Sequence, residues 1–116
     1  MHLPINVERR HGFTILSPQG EIDFATGPQL KDAITERLVA GDVNLIVDLL
    51  AVDFIESTGL GALISGRRRA HTLKGSLRLV CTEQQLLKIF RITGLDKVFA
   101  IYDSVEQATA ERAVAS

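Results

Sequence analysis

Apolar residues recur with two different periods along the chain, and the two periods separate predicted strands from predicted helices. The runs 5–8 and 13–16 alternate or are rich in β-formers, and Arg10-His11-Gly12 lies between them, which predicts a hairpin. Residues 45–50 form an almost unbroken apolar run, typical of a strand covered on both faces. Two further strands are predicted at 77–81 and 98–101.

Two short segments are ambiguous in this pattern. Residues 19–23 indicate a turn followed by a short extended piece, and Phe54-Ile55 is either the end of the strand before it or a short extension.

Helical spacing of apolar residues predicts four helices between these strands. The first begins near Thr26 and ends at Gly41, and the second spans about 58–73 and ends at Gly75. The third ends at Gly94, and the fourth is a final Ala-rich segment. Three of the four have a capping-box pattern at their start: Thr26-x-x-Gln29, Thr82-x-x-Gln85 and Ser104-x-x-Gln107.

The predicted order of elements is β-β-α-β-α-β-α-β-α. Strands that alternate with helices favour a mainly parallel sheet, to which the opening hairpin adds an antiparallel edge. The fold class is therefore α/β, with a small, mainly parallel mixed sheet of four to five strands and about four helices. The 116 residues contain no internal repeat and no linker, which predicts a single domain, 1–116, with its core at about 5–110.

The start of the second predicted helix differs from the other three. Neither Ser57 nor Thr58 is followed at the right spacing by a residue that completes a capping box, and Gly59, Gly61 and Gly66 all fall in or near the helix. Together these features cost roughly 2–3 kcal/mol of helix stability. Such a local weakness tends to mark a functional site. The alternative is that Ser57 or Thr58 is a plain cap and the glycines permit close packing on the sheet.

The chemistry available at this segment is limited. No Gly-x-Ser-x-Gly motif or adjacent histidine supports Ser57 as a hydrolase nucleophile. Gly61 and Gly66 have the outer spacing of a phosphate-binding loop, but Arg67-Arg68 replaces the required Lys and Ser/Thr. The three histidines lack partners at metal-binding spacing, so we expect no metal, no cofactor and no enzymatic activity. An accessible hydroxyl beside a strand-to-helix turn suits an acceptor of a phosphoryl group from another protein.

Composition narrows the possible partners. The net charge of −1 gives no long-range field for nucleic acid or an anionic membrane, and no apolar stretch is long enough to span a bilayer. The first residues lack the pattern of a secretory signal, so we expect a soluble cytoplasmic protein. The one cysteine, Cys81, lies in an apolar run and is expected to be a buried, inert thiol.

Three motifs resemble the STAS family, in its branch of anti-sigma factor antagonists. The segment 53–61, Asp-Phe-Ile-Glu-Ser-Thr-Gly-Leu-Gly, is similar to the family's hallmark Asp-Ser-Ser/Thr-Gly-Leu-Gly. Residues 20–23, Gly-Glu-Ile-Asp, resemble its Gly-Glu-Leu/Ile-Asp motif, and residues 90–99 resemble the stretch before its last strand. The likeness covers about residues 5–110, with one departure: Glu56 stands where the family usually has Asp.

The resemblance implies a STAS fold and a switch between partners. The unphosphorylated protein binds an anti-sigma factor that is also a serine kinase, and this binding releases a sigma factor. Phosphorylation of Ser57, with Thr58 as the alternative acceptor, switches binding off, and a metal-dependent serine phosphatase reverses it. The alternative is a STAS domain that acts as a scaffold or binds a lipid or nucleotide without being phosphorylated. We expect a monomer or a weak dimer, although the sequence leaves the oligomeric state open.

The surface expected to bind the partner surrounds the phosphorylation site. One face of the second helix is predicted to pack in the core. The apolar pair beside that face, Leu60 and Ile64, belongs either to the partner-binding surface or to the margin of the core. The predicted core face consists of Ala62, Leu63, Gly66, Ala70 and Leu73. The predicted partner-binding residues are Asp23, Glu56, Ser57, Thr58, Gly59, Leu60, Gly61 and Ile64.

Overall fold

The computed structural model describes residues 2–110; residue 1 and residues 111–116 of the predicted domain lie outside the described part. Within that part the chain forms seven strands, four α-helices and a 3-10 turn at Leu95–Lys97. The strands are β1 (Ile5–Arg10), β2 (Phe13–Pro18), β3 (Gly20–Ile22), β4 (Asn44–Asp48), β5 (Val52–Ile55), β6 (Ser76–Val80) and β7 (Ile101–Tyr102). The helices are α1 (Gly27–Val39), α2 (Ser57–Thr72), α3 (Gln84–Ile92) and α4 (Val105–Ala110).

The main sheet confirms the predicted α/β class. Its five strands, counted over residues 2–110, run in the order β1-β2-β4-β6-β7, and all neighbouring pairs are parallel except β1 and β2. The predicted hairpin is present and closes through two residues, His11 (φ 54°) and Gly12 (φ 84°). Both have positive φ, as the tight two-residue turns that match the twist of paired strands require.

A second, two-stranded sheet explains the two ambiguous segments. Strand β3 pairs in parallel with β5, with Ile22 opposite Ile55. Since β3 follows β2 and β5 follows β4, this small sheet lies beyond the carboxyl ends of two neighbouring strands of the main sheet. Phe54-Ile55 therefore belongs to a separate strand rather than to the end of β4.

Side chains on the two faces of the main sheet enter two separate clusters. Leu45 and Val47 of β4 face the larger cluster, which contains the buried side chains of α1, α2 and α3. Ile46, between them, faces a smaller cluster with Val105 and Ala108 of α4. This alternation is the period of two expected of a strand covered on both faces. It confirms the prediction made from the unbroken apolar run at 45–50.

Of the three predicted capping boxes, only the last is close to correct. The Ser104 hydroxyl accepts a hydrogen bond from the Gln107 N–H at 3.1 Å, and the Gln107 side chain accepts one from the Asp103 N–H at 3.2 Å. The prediction at Thr82 was wrong, because Glu83 is the cap of α3 and its carboxylate accepts from the Gln85 N–H. The pattern alone cannot distinguish two adjacent residues that are both able to cap.

The capping box at Thr26 was also wrong, for a different reason. The Thr26 side chain makes no capping hydrogen bond to α1 and bonds backwards to the turn that precedes it. Its expected partner Gln29 accepts instead from the Leu3 N–H, at 2.7 Å. The preceding turn therefore takes the Thr26 side chain, and a residue 26 positions away takes that of Gln29.

The last strand was predicted three residues too early. Residues 95–97 form the 3-10 turn, Val98 is 42% exposed, and the strand is limited to Ile101–Tyr102. Phe99 is buried in the larger cluster, which accounts for the apolar pattern that resembled a strand. In residues 2–110 no helix is long and apolar enough to cross a membrane.

Candidate functional site

Two strand-to-helix turns lie side by side at the carboxyl ends of β3 and β5. Ile22 pairs with Ile55, and the Glu56 N–H donates to the Ile22 carbonyl at 3.1 Å. Asp23 and Glu56, the next residue of each strand, are therefore neighbours. The structure thus places two of the predicted site residues together although 33 positions separate them in the chain.

Ser57 is the first residue of α2, and its side chain is exposed. Glu56 is the cap residue, with extended backbone (φ −129°, ψ −172°), and no side chain caps the helix. The first hydrogen bond of the helix runs from the Leu60 N–H to the Glu56 carbonyl at 3.0 Å. The N–H groups of the first turn have no partner inside a helix, and the positive end of the helix dipole lies there. A negatively charged group on Ser57 would meet both.

Glu56 carries an unpartnered carboxylate oxygen. Its Oε1 is buried and makes no hydrogen bond to any other described residue. An unsatisfied buried acceptor costs about 1–3 kcal/mol. The side chain next to the exposed serine is therefore held at a cost to stability.

Two of the glycines in α2 are explained by packing. A Cβ on Gly59 would lie 2.5 Å from Ile22 Cγ2 and 2.8 Å from Ile55 Cγ1. A Cβ on Gly66 would lie 2.9 Å from Ile34 Cγ2. For these two positions the packing alternative given in the sequence analysis is confirmed. Gly61 is different, because a Cβ there would have no neighbouring atom within 4 Å.

Thr58 is less accessible than Ser57. It is half-buried, and it faces the first residue of α1, since a Cβ on Gly27 would lie 2.6 Å from Thr58 Cγ2. The absence of a side chain at Gly27 lets the starts of α1 and α2 approach each other closely. Of the two hydroxyls considered as acceptors, only that of Ser57 belongs to an exposed side chain.

Asp23 is bonded within its own turn. Its Oδ1 accepts hydrogen bonds from the Ala25 N–H at 2.9 Å and the Thr26 N–H at 3.0 Å. The Thr26 N–H bond is the largest cause that lowers the pKa of the Asp23 carboxyl below its ordinary value, with smaller contributions from the Thr26 hydroxyl and the Ala25 N–H. Asp23 therefore supplies a negative charge, held in place by its hydrogen bonds, on the turn beside the one that carries Ser57.

The apolar flank of α2 belongs to the margin of the core. Leu60 and Ile64 are both partly buried and pack against the larger cluster. The predicted core face is confirmed except for Leu73, which is 49% exposed at the end of the helix. Neighbouring arginines of α2 lie on different sides of the helix, because Arg69 bonds to Thr35 of α1 at 2.6 Å while Arg68 is exposed.

Two exposed phenylalanines near the site were missed in the sequence analysis. Phe24, directly after Asp23, is 71% exposed, and Phe54, two residues before Glu56, is 41% exposed. An exposed aromatic beside a polar site is a common anchor of protein interfaces. The available signal was the position of Phe24 in a turn, outside any helical or alternating pattern.

Comparisons with known proteins agree with this geometry. A sequence profile of the STAS domain matches residues 4–108. The chain belongs to the STAS domain family. The profile covers both strand-to-helix turns and all of the candidate site residues.

Relatives and solved structures of STAS proteins cover nearly the whole chain. An anti-sigma-B factor antagonist of Listeria monocytogenes is 30% identical, over 87% of this chain and 90% of its own length. The Bacillus subtilis protein of the same name is 28% identical, over 87% and 92%. An anti-sigma factor antagonist from Mycobacterium paratuberculosis is 28% identical, with a TM-score of 0.82 over 94% of this chain and 92% of that one. The unphosphorylated form of SpoIIAA, at 18% identity and a TM-score of 0.72, shares the STAS fold.

Proposed function

We propose that this STAS protein is an anti-sigma factor antagonist controlled by phosphorylation of Ser57. Its unphosphorylated form binds an anti-sigma factor that is also a serine kinase, and this releases a sigma factor in the bacterial cytoplasm. The observation that carries the proposal is the exposed Ser57 hydroxyl at an uncapped helix start, beside the fixed Asp23 carboxylate. The names of relatives that match the chain over most of their length support the binding role.

Phosphorylation at Ser57 would change the charge of the site and leave the fold intact. A phosphoserine carries about −1.5 to −2 charge at neutral pH. The free N–H groups and the dipole of α2 stabilise such a charge by roughly 0.3–1 kcal/mol. With Asp23 and Glu56 adjacent, the surface becomes strongly anionic, so a partner that packs closely or carries acidic groups there is repelled.

The proposed binding surface extends from the predicted residues to the exposed phenylalanines. Ser57 and Gly61 offer a flat, accessible stretch of α2, because a side chain at Gly61 would project into open space. Phe24 supplies an apolar contact on the neighbouring turn. Leu60 and Ile64, which are partly used by the core, contribute only their remaining exposed edges.

The test is phosphorylation by the cognate anti-sigma kinase, followed by intact-mass measurement and mapping of the modified residue. We expect one phosphate, on Ser57, and none in Ser57→Ala. Thr58→Val is the matched control and should be modified as the wild type is. An unmodified wild-type chain, or a phosphate outside Ser57 and Thr58, would favour the scaffold or ligand-binding alternative. A metal-dependent serine phosphatase should then remove the phosphate.

A further inference from the structure

The outer edge of β1 presents a row of main-chain groups that no other strand of residues 2–110 covers. The Gln19 N–H donates to the Pro4 carbonyl at 3.0 Å, and this bond shows which residues of β1 direct their main-chain groups towards β2. In an antiparallel ladder only alternate residues bond to the neighbouring strand. The residues that bond to β2 are therefore the even-numbered ones of β1. Ile5, Val7 and Arg9 direct their N–H and carbonyl groups outward.

The side chains of these three residues lie on the α1 side of the sheet. Ile5 packs against the larger core cluster, and Arg9 pairs with Asp42, just beyond α1, at 2.8 Å. Val7, between them, is 46% exposed. A shallow groove runs between this edge and α1, with an apolar floor from Ile5 and Val7. Its rim includes Asp32 and Glu36.

We propose that two copies of this chain pair through their β1 edges, antiparallel and about a twofold axis at Val7. In this arrangement Val7 lies opposite Val7 of the partner subunit, Ile5 opposite Arg9 and Asn6 opposite Glu8. A twofold contact of this kind is self-complementary, so each pairing occurs twice. The two main sheets of five strands become one continuous sheet across the interface.

Charge complementarity favours a second copy of this chain at the β1 edge, paired in this register. Arg9 of the partner subunit, placed opposite Ile5, lies beside the groove whose rim carries Asp32 and Glu36. Neither of these acids is in an ion pair within residues 2–110. The Arg9 side chain pairs with Asp42 of its own chain but is 67% exposed, and its guanidinium has further N–H groups with which to reach the partner subunit's groove. On the opposite face, Asn6 meets Glu8 as a hydrogen-bonding pair.

Neighbouring registers are less favourable. A shift of two residues towards the turn places Glu8 opposite Glu8 of the partner subunit, and like charges directly opposite destabilise a strand pair. A shift of two residues the other way places Arg9 opposite Leu3, a buried residue at the end of the groove, and shortens the pairing. Charged side chains on an edge strand normally discourage pairing. Here the charges disfavour one of the two neighbouring registers, and the shorter pairing disfavours the other.

The dimer is expected to be weak. A single pair of six-residue strands buries less than the roughly 1,200–2,000 Å² of a standard stable interface. Sedimentation equilibrium over a wide range of concentrations should show a reversible monomer–dimer equilibrium. Val7→Pro removes the outward N–H without touching the ladder to β2, and should weaken the dimer about tenfold or more. Val7→Thr keeps that N–H and is the matched control.

Cysteine pairing tests the register directly. Residues that exchange hydrogen bonds across antiparallel strands have Cα atoms about 5.5 Å apart, which suits a disulfide. Val7→Cys should therefore form a covalent dimer rapidly under mild oxidation. Glu8→Cys should not, because the two Glu8 Cα atoms would lie about 8 Å apart. Cys81 is 1% exposed and does not interfere.

Ser57→Asp should leave both results unchanged, so the dimer can fail while the proposed switch stands. Three outcomes would overturn the dimer: a wild-type protein that stays monomeric at millimolar concentration, unchanged association in Val7→Pro, or equal rates of cross-linking for Val7→Cys and Glu8→Cys.

Discussion

The two strand-to-helix turns at the site follow equivalent strands but differ in their hydrogen bonding. Each follows a strand of the same small parallel sheet, and Ile22 and Ile55 hold equivalent places in it. In the turn before α1, the Asp23 carboxylate and the Thr26 hydroxyl bond to main-chain groups of the turn. In the turn before α2, no side chain caps the helix, and the Glu56 Oε1 has no partner among the described residues.

Under the proposed function, the turn before α1 supports the site and the turn before α2 is the one that is modified. Hydrogen bonds fix the first turn, so it presents Asp23 and Phe24 in one position. The second turn leaves its hydroxyl and its first N–H groups open, so a phosphate can be added without breaking an existing bond. The proposed cycle of phosphorylation and dephosphorylation needs such an open turn, at residues 56–58. The closed turn beside it, at residues 23–26, keeps the surroundings constant.

The largest effect should follow from a charge placed on the open turn. Ser57→Asp is expected to weaken binding of the anti-sigma partner about a hundredfold, or about 2.7 kcal/mol, because three carboxylates then lie together. Ser57→Ala should bind as the wild type does. Isothermal titration calorimetry gives the affinities, and thermal melting should show that both variants stay folded. Equal affinities for the two variants would mean that charge at this position is not the switch.

The second largest effect concerns the glycines that follow the open turn. Gly59→Ala should lower the free energy of unfolding by about 2–3 kcal/mol, because its methyl group would overlap Ile22 and Ile55. Gly61→Ala, two residues further on, is the matched control and should raise stability by about 0.5–1 kcal/mol. Urea denaturation measures both. If Gly61→Ala keeps the fold but weakens partner binding, Gly61 is part of the interface rather than a structural residue.

The sequence predicted most of the fold because the relevant signals were local. The hairpin, the buried run at 45–50 and the helix-ending Gly41 and Gly94 each depend on neighbouring residues and were correct in the structure. Gly75 was wrong as the end of α2, because the left-handed residue after that helix is Lys74 (φ 65°). The predicted capping boxes at Thr26 and Thr82 were wrong, because other hydrogen-bonding groups took the place of the residues in the pattern. Gln29, for instance, bonds to Leu3, which is 26 positions away.

Local weakness in the sequence singled out Ser57, but the packing of the glycines near it and the exposed Phe24 beside it were not predicted. Poor capping and glycines marked Ser57, but Gly59 and Gly66 are also needed for contacts with Ile22 and Ile34. No local pattern shows such contacts, because they depend on how two helices meet the sheet. The exposed Phe24 was missed for the same reason, since exposure of an apolar residue in a turn is decided by the packing around it.

A smaller effect should follow from loosening the closed turn. Thr26 is 4% exposed, and its hydroxyl bonds to the Asp23 N–H and the Glu21 carbonyl. Thr26→Val leaves both groups without that partner and should cost about 1–2 kcal/mol of stability. Thr58→Val, the matching change in the open turn, should stay within about 0.5 kcal/mol. Similar losses for the two variants in urea denaturation would show that the turns do not differ as described.

The smallest effect is a pH dependence that arises from Asp23. Because the pKa of its carboxyl is lowered in the folded protein, chiefly by the Thr26 N–H bond, the carboxylate stabilises the fold at neutral pH. That contribution is lost as the pH falls from the ordinary aspartate value of about 4 through the lower folded value. Asp23→Asn keeps the accepting oxygen and removes the charge. The difference in free energy of unfolding between wild type and Asp23→Asn should therefore shrink in acid. In a separate NMR titration, Thr26→Val should raise the pKa of Asp23, because it removes the hydrogen bond from the Thr26 hydroxyl. A difference that stays constant from neutral pH into acid would mean that the hydrogen bonds of the closed turn do not depend on the charge of Asp23.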